Sequence, residues 1–173
     1  RLEKIGREGV DLDLEACFDL SYSRLPAETA RVFCMLSVFP SDFDAAAEEV
    51  ICQDEGHQHL SELLRWSLVE FPRPEGEARY HLHDLVRLFA LSLQDRDKDL
   101  NLRHATYYQE LLRKANDLLL QGKDSTHKGL QLFDLEWTNI QRGQNWTATN
   151  ADEDIEVARI CSNFAWTGSI LNL

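Results

Sequence analysis

The sequence predicts a mainly α protein, a winged helix-turn-helix with a small β-hairpin wing, followed by an α-helical bundle or the start of a helical repeat. Three observations predict it. Three short helical stripes precede two alternating runs, 68–71 and 79–82, which flank the turn residues Pro72, Pro74 and Gly76. At Tyr80–Ala90 the apolar period changes from two, at Tyr80 and Leu82, to the helical spacing of Leu85, Leu88 and Phe89. Beyond Asp99 the apolar residues keep helical spacing alone, with no second strand pattern.

Between Asp11 and Tyr22, Leu12, Ala16, Cys17 and Leu20 trace one helical face that stops before Pro26. Pro26 followed by Glu28 opens a second helix from Ala27 to about Phe39, so apolar on all sides that it is expected to be central and buried. Pro40-Ser41-Asp42 ends it, and Asp42 or Asp44 is a cap for a short helix through Ala47, Val50 and Ile51. His59–Trp66 is the next helix, with Leu60, Leu63 and Leu64 as its stripe. The hairpin follows, and the next helix begins at His83-Asp84, with Asp84 expected as its N-cap.

The charged run Gln94–Asp99 loses apolar character and divides the chain into a module over 11–95 and a helical module over 96–173. In the second, Leu102, Ala105, Tyr108, Leu112, Ala115 and Leu119 predict a long helix ended by Gly122. A further helix starts near Ser125 and runs past Trp146 to Asn150, and a last one carries Ile155, Ala158, Cys161 and Phe164. Small residues on that last helix predict close approach of a neighbour.

Composition narrows the function. Eighteen Lys and Arg against 30 Asp and Glu leave a net charge of −12, the wrong sign for a surface that must neutralise phosphates. The helix that would enter a DNA groove sets Glu62 against Arg65, and the wing holds Glu75 and Glu77 beside Arg73. The reading is therefore no nucleic acid. Four cysteines with no C-x-x-C spacing read as free thiols of a reducing, cytoplasmic setting, and no run is long enough for a membrane span. The opening Arg1-Leu2-Glu3-Lys4-Ile5 reads as part of a longer protein.

No catalytic constellation emerges. Gly122-Lys123 is followed by Asp124 and preceded by Leu118 where a phosphate loop needs glycine, so the chain by itself is read as non-enzymatic. Cys52, His57, His59, His81 and His83 are ligand types without metal spacing, and no metal site is assigned. The sequon at Asn145 is read as chance, and Trp66 and Trp137 as packing residues. By itself, His83 reads first as a histidine that closes the hairpin onto backbone. The helix start beside it nevertheless favours an anionic group.

The ordered set Leu20-Ser21-Tyr22 with Leu25-Pro26, then Phe33–Pro40, Leu63–Val69 and Tyr80–Arg87, resembles the winged-helix part of the NB-ARC or AP-ATPase class of STAND signalling ATPases over about residues 11 to 93. The run Leu135–Gln141 is similar to the helical region that joins this module to TPR-like repeats in bacterial members. By the resemblance, residues 1–10 are the tail of a preceding helical domain. Leu82-His83-Asp84 matches the family's Met-His-Asp motif, which implies that His83 contacts the β-phosphate of bound ADP and that Asp84 orients the local backbone. Leu82 in place of Met conserves volume and packing.

The resemblance implies a regulatory segment that holds a closed, ADP-bound state and relays nucleotide exchange to sensor and effector domains. The implied partners are a nucleotide-binding domain of the same chain, a C-terminal repeat domain and further copies on activation. ADP or ATP with Mg belongs to the parent protein, and no cofactor to this segment. Two alternatives stand beside it: a DNA-binding winged-helix regulator with a helical dimerisation domain, and a helical scaffold with an apolar peptide groove.

Overall fold

A computed structural model describes residues 17–71, 78–94, 97–152 and 154–168. The expectations for residues 1–10 and for the turn at 72–77 lie outside them. The described chain is mainly helical with a two-stranded antiparallel sheet. It divides into two compact units, Arg1–Ser37 with Asp42–Asp95, and Val38–Ser41 with Arg96–Leu173.

In the first unit, helical residues 17–22 (α1) set Phe18 and Tyr22 against Phe89, with ring centroids 5.8 and 6.0 Å apart. Helix α2, Ala27–Leu36, starts after Pro26 and buries Val32, Phe33, Met35 and Leu36. It ends three residues before the expected Phe39. Ser37 Oγ turns back to Cys34 O at 2.6 Å and also reaches Gln94 Oε1 at 2.8 Å, so a side-chain bond closes the helix there.

Strand β1, Phe43–Asp44, pairs antiparallel with β2, Arg79–Tyr80, placing Phe43 opposite Tyr80 and Asp44 opposite Arg79. The hairpin expected between 68–71 and 79–82 is represented by a single bridge, with reciprocal N–H···O bonds of 2.9 and 3.1 Å between Glu70 and His81. The ladder proper goes to β1 because the buried Phe43 stacks on Tyr80, at 6.0 Å, and Arg79 bonds Asp42 at 2.8 Å.

Helix α3, Ala45–Cys52, is capped by Asp44, whose Oδ1 accepts from Ala47 N at 2.7 Å. A 3-10 turn, Glu55–His57, leads to α4, Gln58–Arg65, which buries Leu60 and Leu63. Thr29 Oγ1 ties α2 to α4, lying 3.0 Å from His59 Nδ1 and 2.5 Å from Glu62 Oε2. Trp66, expected to pack, is 38% exposed. Helix α5, Asp84–Leu93, turns Val86, Phe89 and Ala90 inward.

The second unit is built from α6, Lys98–Gln121, α7, Asp124–Asn150, and α8, Ile155–Gly168. Asp97 caps α6, its Oδ1 accepting from Leu100 N at 2.9 Å. The link between α6 and α7 is two residues, Gly122 and Lys123, with positive φ of 69° and 56°. Asn101 meets Arg142 and Ala115 meets Gly129, so α6 and α7 run antiparallel. Their core holds Leu100, Tyr108, Leu112, Ile140, Ile160 and Phe164, with Phe39 against the His104 and Tyr108 rings. Trp137 rests on Phe133 but is 37% exposed, against the expectation of a packed ring.

Candidate functional site

The strand-to-helix corner forms as its residue pattern dictates. His81 is held to Glu70 by two backbone bonds, Leu82 is buried at 6% exposure, and the chain then turns into α5. Burial of Leu82 anchors the corner, and the next side chain in an extended segment points the other way. His83 is accordingly exposed.

His83, and not Asp84, is the N-cap of α5. Its φ and ψ of −53° and 142° are non-helical, and Nδ1 accepts a 3.3 Å hydrogen bond from Leu85 N. Its carbonyl accepts from Arg87 N at 2.9 Å. Asp84 is the first helical residue, exposed in the first turn, where its charge complements the helix dipole. The cap falls one residue earlier than expected because an imidazole nitrogen serves as the acceptor that Ser or Asp usually provides.

This geometry has a chemical consequence. With Nδ1 accepting, the neutral ring carries its proton on Nε2, so the exposed edge of His83 is a donor beside unpaired helix N–H groups. The residues present therefore fit a phosphate oxygen, with His83 as the donor, Asp84 in the first turn and Leu82 as the buried anchor. Arg87, one turn further along α5, is half-buried, with its Nε sealed from solvent and without a hydrogen bond.

Two other clusters carry titratable groups. In the α3–α4 turn, the fully buried Glu48 carboxyl places Oε2 2.8 Å from His57 Nδ1, and His57 Nε2 lies 3.8 Å from Glu49. Burial, then the neighbouring Asp54 and Glu49 carboxyls, push Glu48 up to about 9. In the second unit His104 is wholly buried, its ring tilted against that of Tyr108 with centroids 4.7 Å apart. Neither ring nitrogen has a well-formed hydrogen bond. Burial, then the Arg142 guanidinium, hold His104 well below the usual imidazole range, against a smaller opposing contribution from Asn139.

Among the described residues no group of three His, Cys, Asp or Glu side chains could hold a metal ion, so Cys52, His57, His59, His81 and His83 do not converge on one. No described helix is long and apolar enough to cross a membrane. The described cysteines are free thiols, with Cys52 buried.

The chain is similar to a regulatory and to a disease-resistance-like protein. It is 33% identical over 106 residues to the regulatory protein AfsR of Streptomyces griseus, covering 59% of this chain and 11% of the relative. It is 28% identical over 109 residues to a putative disease resistance RPP13-like protein 2 of Arabidopsis thaliana, covering 53% of this chain and 12% of the relative. The chain thus spans about a tenth of the length of these curated relatives. No family model and no solved structure matches it.

Proposed function

We propose that this chain is the winged-helix and helical-linker segment of a nucleotide-dependent STAND signalling switch. The observation that carries the reading is the exposed His83 imidazole capping α5 at the end of a strand whose other residues are anchored. Similarity to a regulatory protein and to a disease-resistance-like protein, matched over only 11% and 12% of their lengths, supports a segment of a large regulator. The three helices α2, α3 and α4, followed by the Glu70–His81 bridge and α5, support the winged-helix assignment.

On this reading ADP, held by a nucleotide-binding domain of the same protein, presents its β-phosphate to the corner. His83 donates from Nε2, Asp84 keeps the helix start in register, and Leu82 fixes the corner to the core. The contact exists only when the module is docked, so it stabilises the closed state over the open one by its full differential free energy. A charge-assisted hydrogen bond of this kind contributes about 1.5–3 kcal/mol. Loss of the contact frees the module, and the helical unit relays the movement to repeat and effector domains and to self-association. Nucleotide chemistry with Mg belongs to the domain that holds the nucleotide.

The test is the release rate of a fluorescent ADP from the intact protein, comparing wild type with His83→Ala. Faster release is expected, by roughly tenfold or more for a loss of that size. Unchanged release overturns the reading. Salt-sensitive retention of the chain on duplex DNA would instead favour a DNA-binding regulator.

A further inference from the structure

A groove of about 500 Å³ runs between Pro40 and one face of α7. Both walls belong to the second unit. The Pro40 wall is held by the residue before it, since Phe39 is buried against the His104 and Tyr108 rings. The α7 wall extends from Thr138 to Asn150, and so covers about 18 Å of helix. Averaged over that length the cross-section is on the order of 30 Å², which suits a single extended chain and excludes a helix about 10–12 Å across.

The lining chemistry is uniform. None of the lining residues is acidic, in a chain with 30 Asp and Glu. Arg142, the cation among them, is tied to Asn101 at 2.9 Å. Gln141 and Asn145 are exposed, and their side-chain amides make no hydrogen bond among the described residues. Each amide offers a donor and an acceptor, the complement of what a peptide unit presents. The two lie one i,i+4 step apart, about 6 Å along the axis, and Thr149 follows at the same step. An extended peptide turns backbone N–H and C=O groups to one side at every second residue, about 6.6–6.8 Å. The two repeats therefore agree to within about 1 Å per step. Trp146, half-buried on the same wall, adds a broad apolar ring for one side chain between those contacts. The charge of the occupant follows as well, because an excess of 12 negative charges repels an acidic segment and tolerates an uncharged or basic one.

We infer that this groove binds an extended, uncharged or basic peptide segment of about five residues, reading its backbone through Gln141 and Asn145 and packing one apolar side chain on Trp146. The site lies within the helical unit and does not depend on the reading of His83.

The test pans a phage-displayed library of random heptapeptides against the intact protein and measures a selected, fluorescein-labelled peptide by polarisation. Selected sequences should be poor in Asp and Glu. Gln141→Ala combined with Asn145→Ala should weaken binding on the order of tenfold, as expected for the loss of two neutral hydrogen bonds, without lowering the melting temperature. N-methylation of the peptide at alternate backbone positions, which leaves the protein untouched, should weaken binding at least as much in one of the two registers. Failure to select any peptide, or binding indifferent to the double substitution, overturns the inference. So does indifference to N-methylation in both registers, and so does displacement of the peptide by maltopentaose, which would assign the groove to a sugar chain.

Discussion

Glu48 buries its carboxyl against His57, Oε2 to Nδ1 at 2.8 Å, in the turn that joins α3 to α4. Asp54 is buried beside it and spends Oδ2 on the Leu60 N–H, at 2.9 Å. Two carboxyls, those of Glu48 and Glu49, thus face the His57 imidazole, and Asp54 adds a third acidic group beside Glu48. The least costly state is a proton kept on Glu48, where Oε1, which has no donor of its own, serves as an O–H.

The pH dependence follows in sign. Glu48 is raised from 4.5 to about 9, so its contribution to stability is fully present below pH 4.5 and is lost progressively as pH rises toward 9. Each unit in that window is worth at most about 1.4 kcal/mol. Glu48→Gln, which keeps a donor and an acceptor without a titrating proton, should flatten this slope. Urea melts of both proteins between pH 5 and 9 check it, and parallel slopes would show that Glu48 does not hold the proton.

His104 works in the opposite direction. Its folded pKa is depressed, so the neutral ring is favoured in the fold and its contribution is present above the unfolded value of about 6.5. Stability is lost as pH falls below that value, by up to about 1.4 kcal/mol per unit. His104→Leu, of similar volume and without polar nitrogens to bury, should remove the acid sensitivity and hold or raise the melting temperature at pH 7.5. Thermal melts at pH 7.5 and 5.0 measure the difference, and an equal drop in both proteins would place the acid sensitivity elsewhere.

The legible features were those set by local chemistry. Asp44 as one of two candidate caps, Gly122 as the end of the long helix and the break after Asn150 were all readable because capping and left-handed turns depend on a few adjacent residues. The pairing of Phe43–Asp44 with Arg79–Tyr80 was not, since Arg79 lies 35 positions after its partner Asp44 and no period announces a two-residue strand. The end of α2 at Leu36 was equally hidden, because Ser37 is stopped by Gln94, a residue 57 positions away. At the corner the shift of the cap from Asp84 to His83 required the backbone, because an imidazole nitrogen is an uncommon cap acceptor.

Gly129 offers a test of the second unit. A Cβ there would lie 2.7 Å from the Ala115 carbonyl oxygen of α6 and 3.1 Å from Leu118 Cβ. Alanine gains about 1 kcal/mol of helix propensity over glycine, yet a backbone oxygen cannot move aside as a side-chain tip can. The clash should win, so Gly129→Ala is expected to destabilise the chain by about 1–3 kcal/mol. Chemical denaturation measures it. A stabilised variant would mean that α6 and α7 are less closely packed at this point.

His83 has two separable roles, and one substitution pulls them apart. As N-cap it supplies an acceptor for Leu85 N, a task that asparagine performs at least as well. As a phosphate contact it supplies the Nε2 proton, which asparagine cannot reproduce in the same place. His83→Asn should therefore keep or slightly raise the melting temperature, whereas His83→Ala loses roughly 1 kcal/mol with the cap. Both variants should release ADP faster from the intact protein. If asparagine restores wild-type retention, the imidazole serves only to shape the helix start, and the phosphate must be held through backbone N–H groups at that end of α5.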